Sequence, residues 1–398
     1  MRPALTKEGR AAFHARSMNK ARALRGMILA GVAACGATLG TACQKNAASC
    51  CGDDAGASDA ALAVAWTPPA STGSQAGKSD KTDDPPEEDD VDCEGEVCKV
   101  GLISENAKAE LEKQSNYKTR VLRFREHTTN DQFRTIDTLP WATRVSIDGC
   151  KEVSDLSPLS ELKGVKELSA EGAEQIVDLA PIAGLVDIEK LSVAKTGVES
   201  LAPIKALTKL TKLDVRASKV TDLGPIAGMT KLQLLNVSML QAREWSPLQG
   251  LTGLKQLDMT NSNLQNAFVL GGMKDMKRLN LANSKDLKDL GPIKVMTGLE
   301  QLRIDDCPIT SIAPLVGMLD LQVLSASGTK LTTIAPISNL SELRSVDLQR
   351  TAVIDFDPLI SSAKSLKYLG LPKGTTSDMY SGVMEANRKV HVEMSRRR

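Results

Sequence analysis

Residues 207–228 read LTKLTKLDVRASKVTDLGPIAG, and residues 296–317 read MTGLEQLRIDDCPITSIAPLVG. Both follow the pattern L/M-x-x-L-x-x-L-x-V/I-x-x-S/C-x-V/I-x-x-L/I-x-P-I/L. The pattern recurs every 22–23 residues, in units that begin at Leu162, Leu185, Leu207, Met229, Leu251, Met273, Met296, Met318 and Leu340. A partial unit precedes them from Leu139, and a truncated unit follows from Ala363. Self-similarity at this period indicates stacked structural repeats.

The spacing within one unit predicts its local structure. In the L-x-L segment, apolar residues alternate at period two, so each unit contributes one short strand with one face directed inward. The proline that follows fixes a turn and cannot continue a hydrogen-bonded ladder. Because one unit cannot bury its own apolar edge, neighbouring units stack and their strands pair in parallel. We therefore predict a curved solenoid over residues 139–371.

These units resemble the short, proline-containing, internalin-like leucine-rich repeats of bacterial surface proteins, and the resemblance covers residues 139–371. It implies an α/β fold, a leucine-rich-repeat solenoid with a curved parallel sheet, about ten repeats and a cap at each end. It also implies a protein-binding module that recognises a partner through the concave face of the sheet. A coincidental leucine-rich helical protein is excluded, because the prolines would break every helix.

One repeat position, which we call the ladder column, accounts for two of the eight cysteines. It holds Cys150, Ala173, Thr196, Ser218, Leu240, Ser262, Ser284, Cys307, Thr329 and Thr351. The resemblance implies that this column points inward and carries small polar groups that bond adjacent turns. Cys150 and Cys307 are seven repeats apart, roughly 34 Å along the stack, which is too far for a disulfide. Both are predicted to be structural.

Composition narrows the classes of function. The 398 residues carry 50 Lys and Arg against 49 Asp and Glu, and this balance argues against a nucleic-acid-binding protein. Aromatic residues make up only 3%, so Leu, Ile, Val, Ala and Met must fill the core. There is no P-loop, G-x-S-x-G, H-E-x-x-H or Rossmann glycine pattern. We expect no catalytic residue, metal site or cofactor, and interpret His127 and His391 as packed or solvated side chains.

The first 43 residues have the composition of an export signal. Seven Lys and Arg residues precede a short apolar segment that starts at Met27 and continues through small residues. The segment ends in a way that resembles the lipobox of bacterial lipoproteins, with Cys43 as the lipid anchor and Cys35 as the alternative. Lipidation implies attachment to the cell envelope, and Gln44 after Cys43 implies the outer membrane. Ordinary cleavage, giving a periplasmic or secreted protein, and an uncleaved anchor are the alternatives.

Residues 44–98 are predicted to form a disordered acidic tether. Asp80–Glu96 holds ten acids and one lysine, and such a segment cannot bury enough apolar surface to offset the entropy of ordering. A calcium site would need the glycine and the acid spacing of an EF-hand loop, which are absent. The adjacent Cys50 and Cys51 are poor zinc ligands. In an exported chain Cys93 and Cys98 are candidates for a disulfide, with free thiols as the alternative.

The ends of the solenoid need caps, since a bare end exposes core. Residues 99–138 are assigned to the N-terminal cap, with a helix over 104–118 and an additional strand at residues 121–124, which lie 23 residues before residues 144–147. Residues 372–398 form the C-terminal cap and basic end, with a helix from Ser377 through Asn387 and a closing strand at residues 390–392.

Binding is the remaining function class. Residues that alternate with the inward Leu and Val positions should form the concave face, with charges of both signs and little apolar area. The candidate contacts are Lys190, Lys212, Asp214, Arg216, Leu234, Asn236, Gln256, Asp258, Arg278, Asn280, Arg303 and Asp305. The contact centre is placed at Leu234, Asn236, Gln256 and Asp258. A passive envelope scaffold with a solvated sheet face is the alternative.

The pattern is irregular in repeats five and six. Leu240 occupies the ladder column, Trp245 replaces a leucine, and Ala267-Phe268-Val269 stands where the proline is expected. Local rule-breaking is typical of functional sites. Compensated packing around Trp245 is the interpretation that we favour.

Overall fold

The structure is a computed structural model that describes residues Val91–Glu94, Val97–Val100 and 121–395. Its strands form one fifteen-stranded sheet in which spatial order follows chain order. The strands are β1 Val91–Glu94, β2 Val97–Val100, β3 Val121–Phe124, β4 Arg144–Ser146, β5 Glu167–Ser169, β6 Lys190–Ser192, β7 Lys212–Asp214, β8 Leu234–Asn236, β9 Gln256–Asp258, β10 Arg278–Asn280, β11 Gln301–Arg303, β12 Val323–Ser325, β13 Ser345–Asp347, β14 Tyr368–Leu371 and β15 His391–Met394. Only β1 and β2 pair antiparallel among them.

Each repeat strand is short and buries its central residue. In β7, Leu213 is fully buried and lies opposite Leu191 and Leu235, so the register advances by one repeat per strand. The strand begins where one carbonyl accepts two N–H groups, as Glu189 does from Thr211 at 2.8 Å and Lys212 at 3.2 Å. The period-two prediction is therefore confirmed.

A left-handed residue ends most strand segments, five positions after the strand begins. Glycine takes this position at Gly149, Gly172 and Gly328, as its freedom at positive φ favours. Elsewhere the chain uses other residues at φ from 52° to 62°, namely Lys195, Ala217, Met239, Asn261, Asn283, Asp306 and Arg350. Such residues cost free energy at this conformation, so the repeat stack holds them there.

The proline segments form short 3-10 turns on the return path of each repeat. Proline is the second residue in Ser157–Leu159, Ala180–Ile182, Ala202–Ala206, Gly224–Ile226, Ser246–Gly250, Gly291–Val295, Ala313–Gly317, Ala335–Ile337 and Asp357–Ser362. The segment Phe268–Leu270 forms the same turn without proline. Its geometry is imposed by the neighbouring repeats, because its own sequence lacks the residue that presets φ.

The ladder column points inward, but four of its six hydroxyls bond within their own turn, and those of Ser262 and Ser284 are buried without a hydrogen-bond partner among the described residues. Thr196, Ser218, Thr329 and Thr351 each donate to the carbonyl three residues earlier, at 2.7 Å. The expectation that this column bonds adjacent turns is wrong for these four residues and holds for the cysteines. Cys150 Sγ donates to the Arg125 carbonyl at 3.0 Å, and Cys307 Sγ to the Leu281 carbonyl at 3.2 Å.

The core is aliphatic along the repeats, and its aromatic side chains concentrate at the ends. Phe124 and Phe133 pack edge to face at 5.1 Å in the N-terminal cap, where helix α1 spans Asn130–Arg134. Phe356 and Tyr368 are buried near the other end. Aromatic rings provide large area where a repeat has a partner on one side only.

The caps follow the predicted order. Strand β3 and the closing strand β15 are confirmed, and each pairs in parallel with its repeat neighbour. The sequence predicted one helix from Ser377 through Asn387; the structure has a 3-10 turn at Ser377–Tyr380 that leads into a shorter helix, α2, at Ser381–Ala386. The helix predicted over 104–118 lies outside the described residues.

The boundary at residue 98 between tether and cap is corrected by the structure. It falls inside β2, because the hairpin β1–β2 adds to the sheet edge beside β3. The acidic composition averaged over 44–98 concealed two short alternating segments, with Val91 and Cys93 in the first and Cys98 and Val100 in the second. The N-terminal folded part therefore includes Val91–Glu94.

Candidate binding face of the solenoid

The sheet face is the side of β4–β14 that faces away from the core, and three columns of side chains form it. Column one is the first residue of each strand, column two is two residues later, and column three is four residues later. In β9, for example, these are Gln256, Asp258 and Thr260. The candidate contacts predicted from the sequence all belong to these columns.

The polar side chains of column two accept hydrogen bonds from the backbone. After a three-residue strand, the N–H of the column-three residue turns away from the neighbouring strand, and the column-two side chain accepts from it. The acceptors and distances are Asp214 from Arg216 N (3.1 Å), Asn236 from Ser238 N (3.0 Å), Asp258 from Thr260 N (2.9 Å), Asn280 from Ala282 N (3.1 Å) and Asp347 from Gln349 N (2.9 Å). These side chains shape the turn, as Asx motifs do.

At two of the column-two serines, Ser169 and Ser325, the preceding repeat supplies the carboxylate. Asp148 accepts from Glu171 N at 2.8 Å beside Ser169, and Asp305 accepts from Ser327 N at 2.9 Å beside Ser325. Asp305 also accepts from the Ser325 hydroxyl at 2.7 Å. The predicted contact Asp305 is therefore a structural acceptor for the next repeat.

Column three holds an ion network rather than free charge. Arg216 donates to Asp214 at 2.9 Å and also to Glu171, two repeats away. Lys195 adds a third contact, to Glu171 at 3.2 Å. Burial alone would raise the pKa of Glu171, but the hydrogen bonds and charges of Arg216 and Lys195 outweigh it and lower that pKa. The predicted contact Arg216 is thus internally paired.

Three carboxyl groups of the face are poorly solvated. Burial raises the pKa of Asp214 to about 6 although Arg216 lies beside it. Burial also raises the pKa of Asp305. The pKa of Asp347 rises to about 6 through burial, with smaller contributions from the charges of Asp305 and Glu393. Each group costs free energy when it ionises in the folded chain.

Column one is the part of the face that remains open. Lys190 pairs with Glu167 at 2.7 Å. The Lys212 side chain is half-buried, and burial lowers its pKa. With the Gln256 amide oriented so that its oxygen faces Arg278, the guanidinium Nε donates to it at 2.9 Å. Leu234 stands between these cations and is partly exposed.

The four residues of the predicted contact centre therefore fall into two groups. Leu234 and Gln256 lie in column one with outward side chains, whereas Asn236 and Asp258 are only 2% and 8% exposed and bond the backbone. Asn280 belongs with the second group, and Arg303 is a column-two residue with an interaction of its own. The sequence carried a signal for this division, since Asp or Asn recurs two residues into the strand.

In the irregular repeats five and six, the packing around Trp245 is compensated, which is the interpretation that the sequence favoured. Trp245 is buried, and its Nε1 donates to Asn263 Oδ1 at 3.0 Å. Asn263 Nδ2 in turn donates to the Ala242 carbonyl at 3.0 Å. Beside this pair lies an open cavity of about 290 Å³ whose lining includes Arg243 and Asn266. The tryptophan has a polar partner, which a leucine would not need.

The cysteines within the described residues occupy two environments. Burial raises the pKa of Cys150 and Cys307 to about 11, so both are protonated at neutral pH. Cys93 and Cys98 are direct backbone partners across the β1–β2 hairpin. The predicted lipid anchors, Cys43 and Cys35, lie outside the described residues. Within the described part of the chain, no group of three His, Cys, Asp or Glu side chains is placed to hold a metal ion.

Similar folds occur among solved structures. An internalin, InlF of Listeria monocytogenes, is 18% identical over 76% of this chain and 82% of that chain, with a TM-score of 0.62. This is the leucine-rich-repeat fold. A leucine-rich-repeat protein of Leptospira interrogans is 13% identical over 73% of this chain and 92% of that chain, with a TM-score of 0.51. A TDR receptor is 16% identical over 69% of this chain and 49% of that chain, with a TM-score of 0.54.

These likenesses confirm the predicted leucine-rich-repeat solenoid. No protein-family model matches the chain, and no curated protein matches it in sequence. Across the residues that the structure describes, there is no helix with the length and apolar character needed to cross a membrane.

Proposed function

We propose that this chain is a non-enzymatic protein-binding module of the bacterial cell envelope. It recognises a partner protein through its sheet face, which the leucine-rich-repeat resemblance predicts to be concave. The observation that carries the proposal is the row of outward column-one side chains on β6–β12, held at a fixed spacing by the paired strands. A rigid array of this kind binds with little loss of conformational entropy.

The chemistry of the face supports binding rather than catalysis. The column-two carboxylates accept backbone hydrogen bonds, and the thiols of Cys150 and Cys307 point into the core and are protonated, so neither group serves as an available nucleophile or base. The polar, mixed-charge surface resembles the rim of a protein interface more than a small-molecule pocket.

Attachment to the envelope rests on the first 43 residues. Lipidation of Cys43, or of Cys35, would tether the solenoid through the acidic segment that follows, and Gln44 after Cys43 favours the outer membrane by resemblance to bacterial lipoproteins. Intact-mass spectrometry of membrane and soluble fractions from the natural host tests this part. A diacyl or triacyl mass supports the tether, an unmodified mass that starts near residue 43 supports a periplasmic or secreted binder, and retention of residues 1–42 contradicts export.

Site-specific photocrosslinking in the host tests recognition by the face. We expect a crosslinker at Leu234 to capture a defined protein, which then binds the purified full chain. The matched control is Lys205, an exposed residue in the Ala202–Ala206 turn. Capture of the same protein from both positions, or from Lys205 alone, would contradict recognition by the sheet face.

A passive scaffold is the second candidate. It is favoured by the internal hydrogen bonding of columns two and three, which stabilises the stack and needs no partner. In that case replacement of Lys212, Leu234 and Arg278 together leaves the host phenotype intact, whereas deletion of whole repeats does not. Loss of phenotype in the triple variant, with the fold intact by circular dichroism, excludes the scaffold.

A further inference from the structure

The column-one side chains indicate which charged and apolar groups a partner would present to the sheet face. This inference rests on the proposed function and deepens it. From β7 to β13 most column-two and column-three polar groups bond the backbone or each other, as Asp258, Thr260 and Asn280 do. A partner that approaches this face therefore meets its selective groups mainly in column one.

Column one contains no acidic residue from β6 to β15. Its members are Lys190, Lys212, Leu234, Gln256, Arg278, Gln301, Val323, Ser345, Tyr368 and His391. Lys190 is neutralised by Glu167. Within the part of the chain that the structure describes, no carboxylate forms an ion pair with Lys212 or Arg278. The row thus carries two cations that are not engaged in an ion pair.

The environment of Lys212 favours an anionic partner. Burial lowers the pKa of Lys212, which means that its ammonium group is less well solvated than a free lysine. The nearby charges of Asp214 and Glu167 offset only part of this effect, and an incoming carboxylate would add a direct ion pair. Leu234, one strand further on, offers the apolar contact between this cation and Arg278.

The spacing of these groups matches an extended chain. Lys212 on β7 and Arg278 on β10 are three strand steps apart, about 14 Å. Four residues of an extended peptide span about the same distance, and residues i, i+2 and i+4 project to one side. The i+2 side chain then lies about 7 Å from each acid, over the Leu234 and Gln256 positions.

We propose that the sheet face binds an extended acidic segment of a partner protein, with carboxylates at i and i+4 against Lys212 and Arg278 and an apolar side chain at i+2 against Leu234. The segment crosses the strands along column one. Because its charged contacts are partly exposed, binding weakens as ionic strength rises.

A synthetic peptide, Gly-Gly-Glu-Ser-Leu-Ser-Glu-Gly-Gly, is the probe. We expect saturable binding to the isotopically labelled full chain in an NMR titration, with shifts at Lys212, Leu234 and Arg278. The peptide with both glutamates replaced by lysine should not bind. Lys212→Glu and Arg278→Glu should each weaken binding about tenfold, and Leu234→Ser should weaken it by a few-fold.

The matched control is Lys255→Glu, because Lys255 precedes Gln256, is exposed and lies outside the three columns. It should leave binding unchanged. Circular dichroism checks that the charge-reversal variants fold. If Lys212→Glu or Arg278→Glu does not fold, Lys212→Gln or Arg278→Gln is used in its place. Absence of saturable binding, equal binding of the lysine peptide, or equal weakening by Lys255→Glu would overturn the inference.

The two proposals can fail separately. If crosslinking from Leu234 captures a partner but the acidic peptide does not bind, the sheet face remains a binding face and the acidic segment is wrong. If the peptide binds with the expected variant pattern but no host protein is captured, the column-one chemistry stands and the recognition function is contradicted.

Discussion

Gln256 and Asp258 belong to the same strand, and both are outward polar residues in the sequence pattern, yet they have different roles. Asp258 is 8% exposed and accepts from the Thr260 N–H and hydroxyl, at 2.9 and 2.6 Å, and from Asn280 at 3.3 Å. The Gln256 side chain, in contrast, accepts a hydrogen bond from Arg278, its column-one neighbour. Polarity on an exposed strand therefore does not identify a binding residue, because the end of the strand needs acceptors of its own.

Removal of the Asp258 acceptor gives the largest expected effect. Asp258→Ala should lower the free energy of unfolding by about 3 kcal/mol, because a buried N–H loses its partner and two side chains lose an acceptor. Gln256→Ala should change it by less than about 0.5 kcal/mol. Urea unfolding of both variants provides the measurement.

Asp258→Asn sharpens the same comparison, since Asn236 and Asn280 already serve in this column through Oδ1. It should retain most of the stability that Asp258→Ala loses. Equal losses for the Ala variants at 256 and 258 would remove the distinction between the two columns.

The next largest effect on stability comes from the ionisation of a column-two carboxyl group. Asp347 has its pKa raised to about 6, so its ionised form destabilises the fold as pH rises from about 4 through 6. Asp347→Asn keeps an oxygen acceptor for Gln349 N but does not ionise. We expect a gain of about 2 kcal/mol above pH 6 that disappears below about pH 4, measured by urea unfolding at several pH values.

Asn236→Asp is the converse variant at an equivalent, more deeply buried position. It should lose stability as pH rises over the same range. A pH-independent difference between wild type and Asp347→Asn would show that hydrogen-bond geometry, and not ionisation, determines the effect.

The next prediction concerns the β1–β2 hairpin at the edge of the sheet. Cys93 and Cys98 are opposite backbone partners, and residues directly opposite in an antiparallel pair lie about 4.5–5.5 Å apart at Cα, within disulfide range. We propose that they form a disulfide in the exported protein. Peptide mapping without reductant should recover them linked, while Cys150 and Cys307 remain free.

Reduction should increase amide hydrogen exchange in β1 and β2, consistent with a loss of about 1–2 kcal/mol confined to the hairpin. The repeat strands act as the internal control and should keep their protection. Alkylation of Cys93 and Cys98 in freshly isolated exported protein would contradict the disulfide.

The smallest expected effect on stability concerns the left-handed residue that follows column three. Met239 has φ of 62° and is 57% exposed, so its side chain contributes little packing to offset the backbone cost. Met239→Gly should raise the free energy of unfolding by roughly 0.5–1 kcal/mol. Gly228→Ala, at an unstrained glycine with open space around it, tests the opposite substitution and should be neutral or slightly stabilising.

Local pattern was enough to predict the repeats. Alternation of Leu and Val predicted one short strand per unit, proline predicted a turn after it, and recurrence every 22–23 residues predicted parallel stacking. These features depend on side-chain period and backbone restriction, which each unit carries in its own sequence. The sequence also predicted β3 and the closing strand β15, whereas the β1–β2 hairpin that extends the sheet beyond β3 was not predicted.

Tertiary structure alone decided which polar side chains of the face are available. Asp305 bonds a serine of the next repeat and Arg216 reaches Glu171 two repeats away, and neither contact follows from the spacing within a unit. The raised pKa of Asp347 likewise depends on how neighbouring strands desolvate it. Hydrogen-bond satisfaction and burial are set across repeats, because a buried N–H takes whichever acceptor the stack brings within reach.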